Sequence, residues 1–546
     1  MPDLVLGPML RHAGPTDATV WVQTAERCEV EVLGHRATTF RVGDHHYAVV
    51  SVAGFEPGTE RSYEVRLDGE RVWPAADSRF PPSVVRTPAD DQPLRLAFGS
   101  CRKSAPHEPP YTRRRASDPR GLGVDALRAL ALRAASDRHE LPDALLLLGD
   151  QIYADEPSPR AQELAAATVV DARAPGGELE DFSEYALAYR EAWREPALRW
   201  LLSTVPTAMI FDDHEISDEW KISRAWVDRM RSEPWFERRI VGGLMSYWIY
   251  QHLGNLSADE LAADELLARV RAADDAAPLL RDFARAAAQQ ADRSRFSFRR
   301  DLGRVRLVVL DARCGRELEP ARRRIMTRAE WGWVREQVAG DYDHLLLASS
   351  IPFLVSPGLH DLEAWNERVC DGTWGARAAR WGERYRQWAN LGHWAAFGRS
   401  FAELLALLQD VVTGRLGRPP RSVVALSGDV HHCYLARMRM AAARPGSPPV
   451  WQAVCSGLRK PLDPGEKLAI QLTHSTAGRL LGAALARTVG IRRPPASWRI
   501  EEGPRYENQI ATLAIDGAQV TLRVETTAGA DWRAPSLRTT IERRLA

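Results

Sequence analysis

Four stretches of this sequence place metal-binding side chain types directly after a short apolar run. "LRLAFG" (94–99) leads into Ser100 and Cys101, and "DALLLLG" (143–149) leads into Asp150 and Tyr153, then Asp155 and Glu156. "TAMIF" (207–211) leads into Asp212, Asp213, His214 and Glu215, and "SVVALSG" (422–428) leads into Asp429, His431 and His432. Each signal alone has an ordinary explanation, because a cysteine after a strand is commonly a small buried hydrophobe and an acid there commonly caps a helix. Together they read differently. Several carboxylates gathered in one place are unfavourable unless cations balance them. Thiolate and phenolate favour a transition ion such as Fe(III), and an all-oxygen remainder favours a hard ion such as Ca²⁺ or Mg²⁺. Arg313, just past the apolar run 305–310, has two readings. Its planar fork suits the oxygens of a bound anion, or it pairs with a neighbouring acid such as Asp311.

The elements that must position these residues follow from the apolar runs at 94–99, 143–149, 207–211, 305–310, 344–350 and 422–428. Continuous runs of this length suit strands covered on both faces, which predicts an α/β domain. In open α/β sheets ligands bind beyond the carboxyl ends of the strands, so the four segments are expected to converge. The intervening 157–200, 220–300 and 362–412 read as helices, and 508–526 reads as a hairpin turning at Asp516-Gly517. Residues 4–80 alternate in short segments that predict a small antiparallel sandwich. There "GFEPGTERSYEV" (54–65), with an inward Tyr63, is similar to fibronectin type III/Ig-like domains. Prolines at 81, 82, 88 and 93 are expected to interrupt regular structure between 78 and 93. The expected division is 1–90 for the all-β domain and 91–546 for the catalytic domain.

Length and composition bound the rest. A chain of 546 residues favours two domains, and its net charge of +1 offers no global field for nucleic acid or an anionic membrane. No nucleic acid is therefore expected as a stable partner. Six scattered cysteines form no CxxC pair and imply no disulfide framework. The start, "MPDLVLGPML", reads as a strand and not as an export signal, and no apolar run is long enough to span a bilayer. A cytoplasmic protein with reduced thiols is expected. The basic-ended stretch 477–493 has two readings, a helix lying on a membrane or a buried amphipathic lid, and the lid is the one expected. Most of the 18 tryptophans are expected to anchor helices, with Trp374 or Trp394 as candidates to line a substrate cleft. Strand alternation points His432 away from His431, towards packing or the rim.

The ordered motifs "FGSC", "LLLGDQIYADE", "IFDDHE" and "LSGDVHH", with the blocks at 189–215 and 296–316, resemble the alkaline phosphatase D (PhoD-like) family of calcineurin-like metallophosphoesterases. The resemblance spans roughly 94–526 and implies a metallophosphoesterase-type β-sandwich flanked by helices. It further implies iron(III) held together with calcium or another divalent ion. By it, Asp150 bridges both metals, while Cys101, Tyr153 and His431 complete the iron side. Asp213, standing where the superfamily motif has Asn, faces the second metal, as does Asp429. His214 would protonate the leaving oxygen, and Arg313 is the candidate to bind the phosphate oxygens. The implied activity is hydrolysis of a small-molecule phosphomonoester or phosphodiester by a hydroxide bridging two metals typically ~3.5–4 Å apart. The alternative is a non-catalytic, metal-stabilised binding protein of the same fold, against which the retained His214 argues. A carbohydrate-binding or partner-binding role for the N-terminal sandwich has no marked binding face behind it. Many family members are exported by a twin-arginine signal, which the start of this sequence does not show, so a role in extracellular phosphate scavenging is not expected. The motifs specify neither the natural substrate nor the oligomeric state.

Overall fold

The computed structural model describes residues 2–167, 173–441, 443–492, 494–529 and 531–546. The chain opens with two four-stranded antiparallel sheets. One contains Leu4–Ala13, Asp17–Thr24, Phe40–Val42 and His45–Ala53; the other contains Glu29–Val32, His35–Thr38, Val65–Leu67 and Glu70–Trp73. Alternation in the strands sends Val20, Val22, Val50 and Val52 of the first sheet against Val30, Val32, Val65 and Leu67 of the second. The opposite residues of the first sheet, including Met9, Trp21, Tyr47 and Val49, enter the main core of the protein. Tyr63 is buried, as its strand position predicts, and its hydroxyl donates to the Ser203 carbonyl at 2.5 Å. The proline-rich stretch differs from expectation. Val84–Arg86 forms a short strand paired with Glu60–Ser62, because the extended backbone that proline favours is itself compatible with an edge strand.

Beyond residue 93 two seven-stranded sheets stack face to face. The first joins Thr207–Met209, Ala144–Leu147 and Leu94–Arg102 in parallel, then Gln509–Asp516, Gln519–Ala528 and Ser536–Arg544 antiparallel. Ser456–Arg459 pairs with the end of Leu94–Arg102. The second sheet runs Phe298–Leu302, Val305–Leu310, His344–Ser349, Ser422–Ser427, Val450–Val454, Cys433–Met440, Ala496–Arg505. Leu307, Val309, Leu346 and Leu426 point into the space between the sheets. Their neighbours Val308, Leu310, Leu345 and Leu347 point outward, under the helices Arg328–Val338 and Gly398–Val412. The helices Ala126–Ser136 and Pro196–Thr204 cover the first sheet with Leu127, Leu130, Leu198 and Leu201. Both faces of each central strand are thus dry, which is why these strands are apolar throughout. The result is the expected α/β fold, a β-sandwich flanked by helices with an all-β region before it.

The long helical stretches are broken into shorter helices. Residues 157–205 hold Pro159–Ala167, Phe182–Trp193 and Pro196–Thr204, while 168–172 lie outside the described residues. At 298 the expected helix has already given way to a strand. Further on, a helical cap is centred on Pro357–Cys370, flanked by Ala376–Trp388 and by the consecutive helices Pro464–His474 and Thr476–Thr488. Here two expectations fail. Trp394 is fully buried against Phe353, in the core and not in a cleft, and Trp374 is an exposed residue leaning on Trp365. The stretch 477–493, whose last residue lies outside the described ones, is no buried lid, because Leu480 and Leu481 face outward. Its periodicity marked an apolar face but not what covers that face.

Candidate metal centre

The strand register brings the motif residues together. Gly99 pairs with Leu147, and Leu147 with Met209, so the three parallel strands of the first sheet end level with one another. The backbone N–H groups of Cys101 and Arg102 donate to the carbonyls of Gly149 and Asp150, strapping the second turn to the first strand. The second sheet is tied in by Ser100, whose hydroxyl accepts from the Asp429 N–H at 3.1 Å, and by Ser456, whose hydroxyl accepts from the His431 N–H at 3.0 Å. Among the described residues nine non-glycine positions have positive φ, and four of them are Cys101 (57°), Asp150 (51°), Asp429 (67°) and His431 (52°). A left-handed backbone is unfavourable for residues with a Cβ and concentrates where a side chain must be aimed for function.

Gly149 explains how close the loops come. Its φ is 104°, and a Cβ there would lie 2.5 Å from the Asp212 Cβ. Gly149→Ala is therefore expected to destabilise the fold by on the order of 2 kcal/mol and to lower bound metal, since Asp212 must retreat. Denaturant melts and elemental analysis check this, and a variant unchanged in both would show that the close approach is dispensable.

Three overlapping sets of ligand atoms each fall within 4.8 Å: Cys101, Asp150 and His431; Asp150, Asp213 and His214; Asp212, Asp213 and Asp429. Asp150 belongs to two of the sets. The Tyr153 hydroxyl donates to Asp150 Oδ2 at 3.3 Å. Asp150 Oδ1, Asp212 Oδ2 and His431 Nε2 are buried without a hydrogen-bond partner, although such groups are nearly always satisfied. The charges are also unbalanced, with Asp150, Asp212, Asp213 and Asp429 facing one guanidinium and a His214 ring already paired with Asp155. The guanidinium is that of Arg313, buried, with Nε 2.5 Å from Asp212, Nη1 3.2 Å from Asp213 and Nη2 3.1 Å from Asp429. The Asp311 carboxylate takes the backbone N–H groups of Arg313 and Cys314 instead, so an Arg313–Asp311 ion pair is not formed. Orphaned oxygens, an orphaned imidazole nitrogen and excess negative charge fit two metal ions on these residues.

Burial, then Asp150, Asp429 and Asp212, push the Cys101 thiol well up. Burial and Lys460 hold His431 neutral, the form in which imidazole binds metal. Burial raises Asp150 to about 7, with His214 opposing and Asp213 and Asp429 reinforcing the shift. In metal-free protein the folded Asp150 thus keeps a proton that the unfolded chain sheds near 3.8. The folded state binds more protons across that window, so stability falls as pH rises from about 4 to 7. Glu215, raised to about 8 by burial and then Asp150, extends the effect. Protein treated with chelator is expected to melt lower at pH 8 than at pH 5, with added metal narrowing the gap; a melt independent of pH would contradict the assignment.

His214 Nδ1 lies 2.9 Å from Asp155 Oδ2 and 3.0 Å from Oδ1. Burial opposes the charged ring, but Asp155, then Asp150 and Asp213, outweigh it and hold the His214 pKa well above its usual range. Asp155 and Asp212 were visible in the motifs but carried no assigned role there. His393 was missed altogether: its Nδ1 meets Glu363 at 2.6 Å and its Nε2 stands 3.7 Å from Asp429. Lys103 and Lys460 were also missed. Both hold Glu156, at 2.6 Å and 2.9 Å, and Lys460 lies over the Tyr153 ring. His432 is buried against Tyr434 and His474, its Nδ1 at 2.6 Å from the Val430 carbonyl.

Residues 130–347 match the family model of PhoD-like phosphatase, and residues 1–85 match a domain of unknown function (DUF7800). Residues 130–347 therefore carry a PhoD-like phosphatase domain, and the protein is a metal-dependent phosphoesterase. The solved structure of PhoD aligns with 100% of this chain and 92% of its own, with a TM-score of 0.57 at 13% identity, which places the two in one fold. Purple acid phosphatase PPD1 from yellow lupin (Lupinus luteus) seeds aligns with 95% of this chain and 71% of its own, at 10% identity and a TM-score of 0.47. No curated protein matches the sequence.

Proposed function

We propose that the protein hydrolyses small-molecule phosphate esters, monoesters or diesters, at a two-metal site. In this reading Cys101, Asp150, Tyr153 and His431 hold iron(III). Asp150, Asp213 and Asp429, joined by Asp212, hold calcium or another divalent ion. The observation that carries the reading is the set of partnerless buried ligand atoms, delivered by separate loops, beside a charged His214. Bound metals would lower the pKa of a water towards neutrality and polarise the phosphate oxygens. His214, with Nδ1 taken by Asp155, keeps Nε2 to donate a proton to the leaving oxygen. Arg313 has its donors occupied by three carboxylates, which supports a role in holding Asp212, Asp213 and Asp429 in place ahead of one in gripping phosphate. Release of nitrophenol from mono- and bis-substituted nitrophenyl phosphate, with and without chelator, tests the proposal. No release from metal-loaded protein would favour the non-catalytic alternative.

In this reading residues 1–90 form a unit that buttresses the centre. Arg11, fully buried, donates to the carbonyls of Tyr250 and Gln251 at 2.9 and 2.8 Å. The Gln251 side chain donates to Glu215, whose other oxygen accepts the Asp212 N–H at 3.0 Å. Among the described residues no helix is long and apolar enough to cross a membrane. A cytoplasmic setting is part of the proposal, supported by six free cysteines.

The choice of iron has its own test. A phenolate on Fe(III) gives visible charge-transfer colour, and Tyr153→Phe removes the oxygen while keeping the ring packed beside His214. Protein shown to contain Fe(III) is expected to lose or shift its colour in Tyr153→Phe, and Cys101→Ser to retain less iron. An unchanged spectrum in Tyr153→Phe would remove Tyr153 from the ligand set.

A further inference from the structure

Of the consecutive helices Pro464–His474 and Thr476–Thr488, the second packs on Pro357–Cys370 through Gly482 and Leu485, yet both leave leucines uncovered. The first buries no residue, and the second buries only Gly482 and Ala486. Helical stability in proteins comes mostly from burying an apolar face. Here four leucines face water: Leu468 is 58% exposed, Leu472 57%, Leu480 65% and Leu481 63%. Leu468 and Leu472 are four positions apart and share one face. The other large exposed apolar side chains among the described residues are Trp374, Trp381 and Trp388, in and just before a helix flanking the same Pro357–Cys370. Scattered exposed leucines need no explanation, but concentration in one cap marks an interaction surface.

The charge of this surface indicates what covers it. Between residues 464 and 492 stand Lys467, Arg479, Arg487 and Arg492 against the single carboxylate Glu466. None of the four cations forms an ion pair among the described residues, whereas Arg115 nearby pairs with Asp463 at 2.6 Å. Leucine and tryptophan beside unpaired lysine and arginine is the composition of helices that lie in a lipid headgroup layer. We propose that this helix pair docks the protein on an anionic lipid surface, its leucines entering the headgroup boundary and its cations meeting the lipid phosphates. A second copy fits less well, because a two-fold contact through this face would set the four cations against their own symmetry mates. Docking here places the centre close to the lipid. The His474 ring lies 5.9 Å from that of His432, the residue after His431. The docking goes beyond the phosphoesterase reading and does not depend on it.

The test uses the full, metal-loaded chain sedimented with vesicles of phosphatidylcholine, with and without phosphatidylglycerol. Binding is expected to the anionic vesicles only, and to weaken as salt rises. Arg479→Gln should weaken binding about fivefold. The double variant Leu480→Glu with Leu481→Glu should abolish it while keeping the wild-type melting curve, which reports folding independently of activity. Absence of wild-type binding to anionic vesicles overturns the proposal. So does a folded double variant that binds undiminished. Self-association removed by the double variant, with no vesicle binding, would give the face to a second copy.

Discussion

Asp150→Asn abolishes hydrolysis, by a factor on the order of 10³ or more, and leaves a folded protein with less bound metal. Asp150 is the one residue shared by the thiol–imidazole set and the Asp213–His214 set, so its charge is what both ion positions have in common. The amide keeps the size of the side chain and can still accept from Tyr153, so the loop has no steric reason to move. The variant also carries a signature that simple misfolding would not give. In metal-free protein Asp150 is a buried acid forced to about 7, so deleting its charge should raise the melting temperature at pH 8, where the wild-type carboxylate is ionised and unpaired. With metal present the sign reverses, because the same charge is then compensated. Activity measured beside melts with and without chelator separates these outcomes. A metal-loaded Asp150→Asn protein with full activity would end the two-metal reading.

What the sequence disclosed of this centre was whatever a strand carries at its own end. Cys101, Asp150, Asp213 and Asp429 follow apolar runs directly, and the register of buried parallel strands then brings them level. Relations between distant segments were not legible. Asp155 lies 59 positions from His214, and only the fold shows that it holds that ring and not a metal. Arg313 looked like a partner for Asp311 because the two are neighbours in sequence. Its true partners arrive from 101 and 116 positions away, on other strand ends. His393 and Glu363 sit in helical stretches whose periodicity describes packing alone, so their approach to Asp429 left no local mark.

The same boundary runs through the fold. Alternation was enough to predict the N-terminal sandwich and the inward Tyr63, but not that its first sheet would bury Trp21 and Tyr47 in the main core. Apolar runs predicted the three parallel strands of the first sheet and Val305–Leu310, His344–Ser349 and Ser422–Ser427 of the second, but not Val450–Val454 or Cys433–Met440 beside them. They were silent on Phe298–Leu302 and Ala496–Arg505, which are rich in polar residues and pair at the edges of the second sheet. Periodicity likewise reported that 477–493 has an apolar face without reporting that Trp365 and Val369 cover only its Leu485–Val489 end and leave Leu480 and Leu481 exposed.

His214→Ala is expected to slow esters with poor leaving groups by a factor on the order of 10²–10⁴ and activated nitrophenyl esters far less, because only a poor leaving group needs its proton in the transition state. The structure adds a second variant that a mere positioning role would not distinguish. Asp155→Asn preserves a hydrogen-bonding side chain at His214 Nδ1 but removes the charge that keeps the ring protonated. The wild-type ring, its pKa held above the usual range chiefly by Asp155, keeps its proton to higher pH than a free imidazole. In Asp155→Asn burial is no longer outweighed to the same degree, so the pKa falls and the proton is lost at lower pH. The variant should therefore approach wild-type rates on poor leaving groups at acid pH and fall progressively behind as pH rises, while nitrophenyl esters show little of this trend. Rate profiles for both ester types across pH decide the matter. Equal losses on both ester types in His214→Ala, with an Asp155→Asn deficit that does not vary with pH, would make His214 a holder of the phosphate and not its proton donor.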